Sequence, residues 1–488
     1  MKRIYTITLA VLLLAGGSAM AQQKSFTLQQ CIDYAIENSY TIKNSVLDER
    51  IASAKVKETT GIGLPQVNGT FQVVHNAQLP RFFAMYSTGQ NFAGFNDDGT
   101  PKLDIPGAKP TDVVALQNFF QLKSSGTGTL AISENLSASY FVGLRAANVY
   151  KDLATKTTNR NKEAIVEAVT KAYYGALINN ERAKLFESNI ARVDTLLRNT
   201  KALHENGFAE GIDVDRIQVT YNNLVTEKSR FENLRRLGLE LLKFQMNYPM
   251  DEEISIAGTI EEADVNVDLD GYLNEMNYKN RPDYQVLDVN RQLQGLTLKN
   301  AHMANLPSLS LFANLGMATQ SANVAGLFKT ETTYLKDENG IGPDKWYGTR
   351  SYGLTLNVPI FSGLQRTYKI QQEKLNVQKL ENNYKALQTT IDFQVKQASI
   401  NYQNAVQSLE SQKRNMTLAG NVAKITQVKY EQGVGSNLEV VTAESSLREA
   451  QVNYYSAMYD ALVAKTDLDK AFGKLLPAGT IASTGNDK

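Results

Sequence analysis

Residues 391–430 read IDFQVKQASINYQNAVQSLESQKRNMTLAGNVAKITQVKY, and this stretch decides the fold. Apolar or small residues recur in it at alternating spacings of three and four, with one position missed at Lys413: Ile391, Val395, Ala398, Tyr402, Ala405, Leu409, Met416, Ala419, Ala423, Thr426 and Tyr430. This spacing is the heptad seam of a coiled coil. Because residues 363–432 contain no proline, they predict one helix about 100 Å long. Such a helix forms a rod or the wall of a tube, since it is too long for a compact globule.

A second long helix is predicted over residues 143–206, and each long helix runs into a glycine-rich turn. The turns are residues 207–211 and 433–437. Glycine just past a helix end suits a left-handed cap, and Asp213 or Asn437 can start the returning helix. The chain therefore predicts two helical hairpins, each with a tip.

Four shorter segments alternate between apolar and polar residues as strands do: 66–73, 130–140, 309–315 and 352–358. Strands of roughly ten residues with one apolar and one polar face are typical of membrane β-barrels, which close with about eight strands or more. An open sheet edge in lipid leaves backbone groups without hydrogen bonds. If these strands lie in a membrane, several copies of the chain must share the barrel, so a homo-oligomer is predicted.

The two halves of the chain follow the same plan, which predicts an internal duplication. Leu64-Pro65 and Leu306-Pro307 each stand where a helix gives way to a strand, and a Glu-x-Gly turn recurs at Gly207 and Gly433. Each repeat has a helix, a β-hairpin with a long loop, and a long helical hairpin. The predicted divisions are a signal peptide at 1–21, a first repeat at 22–248, an acidic, irregular linker at 249–270, a second repeat at 271–473 and a C-terminal tail at 474–488.

The first residues predict export. Lys2 and Arg3 precede an apolar run over 4–15 and a small-residue cleavage site at 19–21, as in a secretory signal peptide. The formal net charge of +1 offers no basic surface for nucleic acid. Cys31 is the single cysteine and cannot form an intramolecular disulfide. We expect it to be buried as a small apolar residue.

No pattern in the sequence predicts an enzyme, a metal site or a bound cofactor. His204-Glu205 begins like a zinc-protease motif, but Phe208 stands at the position of the second histidine. Residues 266–271 begin like a calcium loop, but Asn277 replaces its bidentate glutamate. The remaining alternative to a channel is an exported coiled-coil spacer or adhesin without a pore. A plain spacer would not need two strand–loop–strand insertions, one in each half.

Five short motifs of the sequence are distinctive: the capping box of Thr27 and Gln30, Leu64-Pro65, Asn280-Arg281-Pro282-Asp283-Tyr284, Leu306-Pro307 and Asn357-Val358-Pro359-Ile360-Phe361-Ser362-Gly363. With these motifs the sequence resembles the TolC-like outer-membrane efflux proteins over nearly the whole mature chain. The resemblance implies a mainly α fold in which long antiparallel coiled-coil helices form an α-barrel. It also implies a membrane β-barrel of four strands per chain, closed as a homotrimer. The implied function is an outer-membrane channel subunit that works with a periplasmic adaptor and an inner-membrane pump.

The resemblance also implies roles for residues at the two tips. The implied adaptor-docking residues are Gly207, Ile212, Asp213, Val214, Gly433, Leu438 and Val440. Tyr430 and Glu439 stand where an aperture-lining tyrosine and an acidic constriction residue are found in the family. Tyr430 is equally interpretable as a seam residue of the coiled coil, and Glu439 as a solvated carboxylate in the first turn of a helix. Gly435 and Thr442 depart from the family pattern, since some members carry an arginine and a second acid there.

Overall fold

The structure is a computed structural model that describes residues 24–85, 107, 109, 111–117, 121–260, 265–328 and 346–476. Two compact units divide the chain. The helical unit draws on residues 1–54, 148–295 and 374–488, and the strand unit on residues 55–147 and 296–373. The predicted signal peptide and all of the predicted tail beyond residue 476 lie outside the described residues.

The part of the chain that the structure describes contains eight α-helices: α1 Leu28–Asn38, α2 Tyr40–Ile62, α3 Ala138–Glu205, α4 Gly211–Met246, α5 Leu269–Asn274, α6 Pro282–Met303, α7 Gln365–Glu431 and α8 Asn437–Ala471. The two long helices predicted from the sequence are α3 and α7, with 68 and 67 residues. The helices α4 and α8 return from them. The predicted pair of helical hairpins is therefore confirmed.

The predicted capping box at the start of α1 is present. The hydroxyl of Thr27 accepts a hydrogen bond from the backbone nitrogen of Gln30 at 3.4 Å, and the Gln30 side chain accepts one from the nitrogen of Thr27 at 2.9 Å. Two backbone donors that a helix start leaves unpaired are thereby satisfied.

Six of the eleven residues of the predicted α7 seam are buried in the helical unit, and the other five are partly buried. Its residues pack with residues of α8 in one apolar core: Ile391, Val395, Ala398, Tyr402, Leu409, Met458, Leu462 and Leu468. Burying one large aliphatic side chain contributes about 1.5–3 kcal/mol. Burial of this seam, more than intrinsic helix propensity, holds α7 against α8.

Eight strands lie in the described residues: β1 Lys24–Phe26, β2 Gln66–His75, β3 Arg81–Met85, β4 Val113–Gln117, β5 Ser124–Leu136, β6 Ile254–Ile256, β7 Ser308–Ser321 and β8 Tyr347–Asn357. Four of them form one antiparallel sheet in the order β2-β5-β7-β8. The other four form two small sheets, in which β1 pairs with β6 and β3 pairs with β4. The four-stranded sheet contains the four segments predicted as strands.

The strands differ from the prediction in several of their boundaries, and one further strand pair is present. The segment predicted over 130–140 is a strand only as far as Leu136, and Tyr140 belongs to α3, because the Ser137 hydroxyl accepts a hydrogen bond from the Tyr140 nitrogen at 3.2 Å. The strand β7 continues to Ser321, since it pairs with β5 as far as Ser124. The pair β3 and β4 lies within the first predicted loop.

The sheet has two chemically distinct faces, because residues directly opposite in an antiparallel pair share a face. The apolar face carries Val67, Phe71, Val73, Leu130, Ile132, Leu309, Leu311, Leu315, Met317, Leu354 and Leu356. The polar face carries Gln66, Asn68, Thr70, Gln72, Thr127, Thr129, Ser133, Asn135, Ser310, Asn314, Thr349, Ser351 and Thr355. The alternation in the sequence predicted this division within each strand.

The segment 249–270, predicted as an irregular linker, is partly ordered. It contains β6, which pairs in parallel with β1 through Lys24 and Ile254, and α5 begins at its end. Ile254 is buried in one apolar cluster with Leu242. This burial holds the segment although its neighbours in sequence are acidic.

Cys31 is fully buried in the same cluster, as predicted. Burial raises the pKa of its thiol to about 12. The thiol therefore behaves as a small apolar group at neutral pH.

The compact units do not coincide with the predicted repeats. Elements of both halves of the sequence meet in each unit: the four-stranded sheet combines β2 and β5 with β7 and β8, and the helical unit combines residues 148–295 with residues 374–488. The elements nevertheless follow the same order in the two halves of the chain. The internal duplication stays a prediction.

Candidate functional site

The ends of the two long hairpins form the candidate site. The first tip comprises residues 206–210, which join α3 to α4, with the first turn of α4; the second comprises residues 432–436, which join α7 to α8, with the first turn of α8. Gly207 and Gly433 have φ values of 78° and 73°. Glycine adopts this left-handed conformation without steric cost, so the predicted glycine caps are confirmed.

The two tips use the same hydrogen bonds to end their long helices. The nitrogen of Phe208 donates to the carbonyl oxygen of Leu203 at 2.8 Å, and the nitrogen of Val434 donates to that of Lys429 at 3.0 Å. Each bond runs from the residue after the glycine to the carbonyl five positions earlier, as in a Schellman motif. The residue after each glycine is apolar.

The helix α8 starts at the predicted residue, whereas α4 starts earlier than predicted. The helix α8 begins at Asn437, but the residue that caps it is Ser436, whose hydroxyl accepts a hydrogen bond from the Glu439 nitrogen at 3.2 Å. The helix α4 begins two residues before Asp213, and Glu210 at its cap makes no side-chain cap bond. The Asp213 carboxylate lies 3.7 Å from Arg216.

A hydrogen bond links the two tips. The side-chain nitrogen of Asn437 donates to the backbone oxygen of Asp213 at 2.8 Å. Asn437 is 4 % exposed, and its side-chain oxygen has no hydrogen-bond partner among the described residues. Asn437 therefore joins the two hairpins rather than capping its own helix.

Three of the predicted tip residues point into the helical unit. Val440 is buried and Val214 partly buried in one apolar cluster with residues of α3. Tyr430 packs on the same cluster, and its hydroxyl lies 3.0 Å from the hydroxyl of the fully buried Thr200. Within a single chain Tyr430 thus serves as a packing residue between α7 and α3.

The tips also expose four large apolar side chains. Ile212 and Leu438 were among the predicted docking residues, whereas Phe208 and Val434 were missed. Phe208 is 81 % exposed and Val434 78 % exposed. The signal that could have found them is their position directly after the cap glycine in both tips, where an apolar residue usually packs back on the helix.

A groove of about 500 Å³ lies between the tips, with these residues among its lining: Leu203, Phe208, Tyr430, Glu431, Ser436 and Leu438. Glu439 is exposed in the first turn of α8, where the helix dipole favours a carboxylate. The groove is lined by apolar side chains and by hydroxyl and carboxylate groups that can accept hydrogen bonds. A lining of this kind is suited to contact with another protein. Within the described ranges, no group of three or more His, Cys, Asp and Glu side chains is arranged to hold a metal ion.

Of the helices in the described ranges, none combines the length and apolar composition needed to cross a membrane. The fold is mainly helical with few strands, and it is similar to that of solved outer-membrane channels. The crystal structure of CusC, from a study of folding and transmembrane channel formation, superposes with a TM-score of 0.68 at 14 % identity and covers 92 % of each chain.

The proteins that are similar in sequence are also outer-membrane proteins. A family model described as "Outer membrane efflux protein" matches residues 275–474. The probable efflux pump outer membrane protein TtgC of Pseudomonas putida is 22 % identical over 327 residues, 66 % of this chain and 63 % of TtgC. Outer membrane protein TolC of Vibrio cholerae is 19 % identical over 451 residues, 92 % of this chain and 91 % of TolC. Over residues 275–474 the chain is similar to the outer membrane efflux protein family.

The relatives named above are outer-membrane proteins, and the outer membrane is the location that these comparisons support for this chain. The match to TtgC spans less than two thirds of that protein. The region that the family model matches, residues 275–474, includes α6, β7, β8, α7 and α8. The second tip is therefore inside the region that the family model recognises.

Proposed function

We propose that this chain is the outer-membrane channel subunit of a tripartite efflux or type I secretion system. In this proposal, substrates pass from an inner-membrane pump and a periplasmic adaptor through the channel to the exterior. The channel itself uses no catalytic residue, metal or cofactor, and its energy comes from the pump. One observation supports the proposal most directly. The sheet has edge strands without partners among the described residues, and the long helices expose apolar side chains, so further copies of the chain can pack against both.

The sheet supports a barrel shared between chains. Its order leaves β2 and β8 as edges, and four antiparallel strands place β8 of one copy antiparallel to β2 of the next. In lipid such edges must be paired. Three copies give the twelve-stranded barrel that the family resemblance implies, with the apolar face against outer-membrane lipid and the polar face towards the lumen.

The long helices support the same assembly. Large apolar side chains are exposed on α4 and α7 at heptad spacing: Ile212 and Val219, Leu237 and Phe244, Phe393 and Ile400, Leu418 and Ile425. In the described parts of α3 and α8, residues 151–202 and 439–471 expose no large apolar side chain. Because α7 has a buried seam and a second, exposed one, it can pack against two neighbours, as a helix in the wall of an α-barrel does.

The tips are the proposed docking surface for the periplasmic adaptor. Gly207 and Gly433 set the turns, Ile212 and Leu438 contribute exposed apolar contacts, and Asp213 contributes its link to the second tip. Val214 and Val440 support the tips from inside. Phe208 and Val434 join the proposed docking residues because they are the most exposed apolar side chains there.

Tyr430 and Glu439 are the proposed aperture residues. The exposed Glu439 carboxylate is free to face a pore in the assembled trimer. Tyr430 has a second proposed role: its hydrogen bond to Thr200 positions the C-terminal end of α7 against α3.

The proposed domain plan keeps two repeats, 22–248 and 271–473, with the linker 249–270 and the tail 474–488.

The mass of the protein extracted from separated membranes in mild detergent tests the proposal. We expect an outer-membrane species with three times the mass of one chain. A soluble monomer would overturn the channel and favour the alternative, an exported coiled-coil spacer or adhesin. The match to the efflux family gives that alternative no support.

A pair of variants links the trimer to the exposed seams. Leu237→Glu with Phe244→Glu places two charges on the apolar stripe of α4, and we expect loss of the trimer. Thr195→Glu is the control, since Thr195 is an exposed polar residue of α3, and it should leave the trimer intact. A trimer that tolerates the double substitution would refute the role of α4 in assembly.

A further inference from the structure

A small cavity lies inside the helical unit, where α3 meets the start of α6 and the segment that follows α8. Its volume is about 10 Å³, which is room for about one water molecule or one ion of similar size. Four of its lining residues carry amide or carboxylate side chains and three do not: Asn159, Glu163, Asn280 and Gln285, then Pro282, Gly473 and Leu476. The cavity is therefore too small for an organic ligand, and its wall is rich in oxygen atoms.

Glu163 brings a buried carboxylate to this cavity. Glu163 and Asn159 lie four residues apart in α3, so they share one face of that helix, and each is 6 % exposed. No described residue donates a hydrogen bond to the Glu163 carboxylate or forms an ion pair with it. Taking an ionised carboxylate out of water without such a partner costs free energy. The carboxylate of Glu163 therefore has capacity to bind a positive charge.

The charged side chains around Glu163 already pair with one another. Three ion pairs surround it, with nitrogen–oxygen distances of 2.7, 2.6 and 2.6 Å: Arg281 with Asp283, Lys470 with Glu167, and Lys171 with Asp467. Arg281 and Lys470 attract the Glu163 carboxylate, whereas Asp283 and Glu167 repel it. Each cation of this cluster is thus matched by another carboxylate. Among the described side chains of the cluster, ionised Glu163 is the carboxylate left over.

Neutral oxygen atoms complete the wall of the cavity. The side-chain nitrogen of Gln285 donates to the carbonyl oxygen of Lys279 at 2.7 Å, which leaves the side-chain oxygen of Gln285 to act as a ligand. Gly473 has a φ of 68°, and a Cβ atom there would lie 2.9 Å from the carbonyl oxygen of Asn280. Glycine therefore lets the backbone of Asn280 approach the segment after α8 at this point. Carbonyl and similar oxygens replace the hydration shell of sodium and potassium ions in proteins.

We propose that this cavity binds one alkali cation, Na⁺ or K⁺, whose charge balances ionised Glu163 and whose other ligands come from Asn159, Asn280 and Gln285. A single unmatched carboxylate suits a monovalent ion, since divalent cations in proteins are bound by more than one charged ligand or by substrate phosphates. The cation is structural, because it joins α3 to the start of α6 and to the segment after α8. The inference is independent of the proposed channel function, since it rests on the helical unit of one chain.

Thermal unfolding of the full chain in mild detergent tests the site. The protein is held at about pH 8.5, well above the ordinary pKa of a carboxyl group. Choline chloride is replaced stepwise by NaCl or KCl at a constant ionic strength of about 0.2 M, so that screening of surface charges stays the same. Choline is too large for the cavity. We expect the unfolding midpoint to rise by about 2–4 °C in at least one of the two alkali salts.

Two variants and a matched control locate the effect. Glu163→Gln keeps the size of the side chain and removes its charge, so the rise with Na⁺ or K⁺ should disappear. Asn159→Ala keeps the carboxylate and removes one ligand, so the cation concentration at half effect should increase about tenfold or more. Glu449→Gln is the control, because Glu449 is an exposed carboxylate of α8, and it should keep the full rise.

Equal midpoints of the native protein in all three salts would overturn the proposal and leave a water molecule as the occupant of the cavity. A rise that persists undiminished in Glu163→Gln would also overturn it, because the cation would then act elsewhere. A second measurement needs no variant: crystals of the native protein soaked in RbCl should give an anomalous peak beside the Glu163 carboxylate. A rubidium-soaked crystal without that peak would count against the site.

Discussion

The side-chain nitrogen of Asn437 donates to the backbone oxygen of Asp213 at 2.8 Å, across 224 positions of sequence. This bond joins the start of α8 to the first turn of α4. Because Asn437 is buried, water does not readily replace the bond. The two tips are therefore expected to move together when a partner docks on either one.

Replacing Asn437 tests this link. Asn437→Ala removes the donor, which should cost about 1 kcal/mol and speed amide hydrogen exchange in both tips. Ser436→Ala is the matched control, since it removes only the cap of α8, also at a cost of about 1 kcal/mol. Amide hydrogen exchange in the first tip should become faster in Asn437→Ala but not in Ser436→Ala. Unchanged exchange there would show that the tips are not coupled through this bond.

The exposed residues after the cap glycines should carry adaptor binding. Phe208→Ala and Val434→Ala are each expected to weaken binding of the cognate adaptor about tenfold, the range of an interface hot spot. The trimer should persist in both variants. Tyr150→Ala is the control, because Tyr150 is an exposed ring of α3 away from the tips. Equal binding by all three variants in a calorimetric titration would remove these residues from the docking surface.

The helical unit contains a carboxyl group whose ionisation opposes folding. Burial of Glu163 and the nearby Asp283 carboxylate raise the pKa of Glu163 from 4.5 to about 7, although Arg281 and Lys470 oppose the rise. The folded state thus holds the proton more tightly than the unfolded state. The stability associated with protonated Glu163 is complete below about pH 4.5 and is lost as the pH rises towards 7.

Glu163→Gln should therefore stabilise the protein in a pH-dependent way. At about pH 8 we expect a gain on the order of 2–3 kcal/mol, and at about pH 4 almost none. Thermal unfolding at the two pH values measures the difference. A gain independent of pH would mean that the substitution acts through packing instead.

Glu167 provides the control of opposite sign. Burial favours its protonated form, but hydrogen bonds from Lys171 and Lys470 outweigh burial and lower the pKa of Glu167. Its contribution to stability is present above the unfolded-state pKa and is lost as the pH falls through the folded-state value. Glu167→Gln should destabilise the protein at neutral pH, and less so in acid.

Two glycines in the left-handed region should respond differently to alanine. Gly473 has a φ of 68°, and a Cβ there would lie 2.8 Å from the backbone carbonyl carbon of Asn280. Gly433 has a φ of 73°, but a Cβ there meets nothing within 4 Å. Both substitutions cost about 1–2 kcal/mol of backbone strain. Gly473→Ala should cost about 1–3 kcal/mol more, which denaturant midpoints would reveal; equal midpoints would contradict the close approach.

Cys31 should be inert in the folded protein. Its burial and the raised pKa of its thiol, about 12, keep it protonated, and the thiolate is the reactive form. An aromatic disulfide reagent at neutral pH is expected to label the chain only after unfolding. Stoichiometric labelling of the native protein would show that the cluster around α1 opens readily.

Several features could be predicted from neighbouring residues alone. The seam of α7, the glycine caps at Gly207 and Gly433, and the Thr27–Gln30 capping box are patterns within a few turns of chain, and each is present. The alternation of the four strands likewise predicted which residues share a face. The cap of α8 was missed because serine and asparagine are both favourable N-cap residues, and Ser436 and Asn437 are adjacent. In the structure the Asn437 side chain bonds the other hairpin, so Ser436 caps α8.

The sequence by itself determined the long helices, their turns and the four amphipathic strands, because periodicity and capping act between residues close in the chain. The tertiary structure decided which elements meet: the register of β5 on β7, the bond between Asn437 and Asp213, and the burial of Glu163 beside Asp283. These depend on side chains from distant segments that share one packed interior. A local pattern specifies which face of an element is apolar, but the partner of that face is selected by packing and hydrogen bonding in three dimensions.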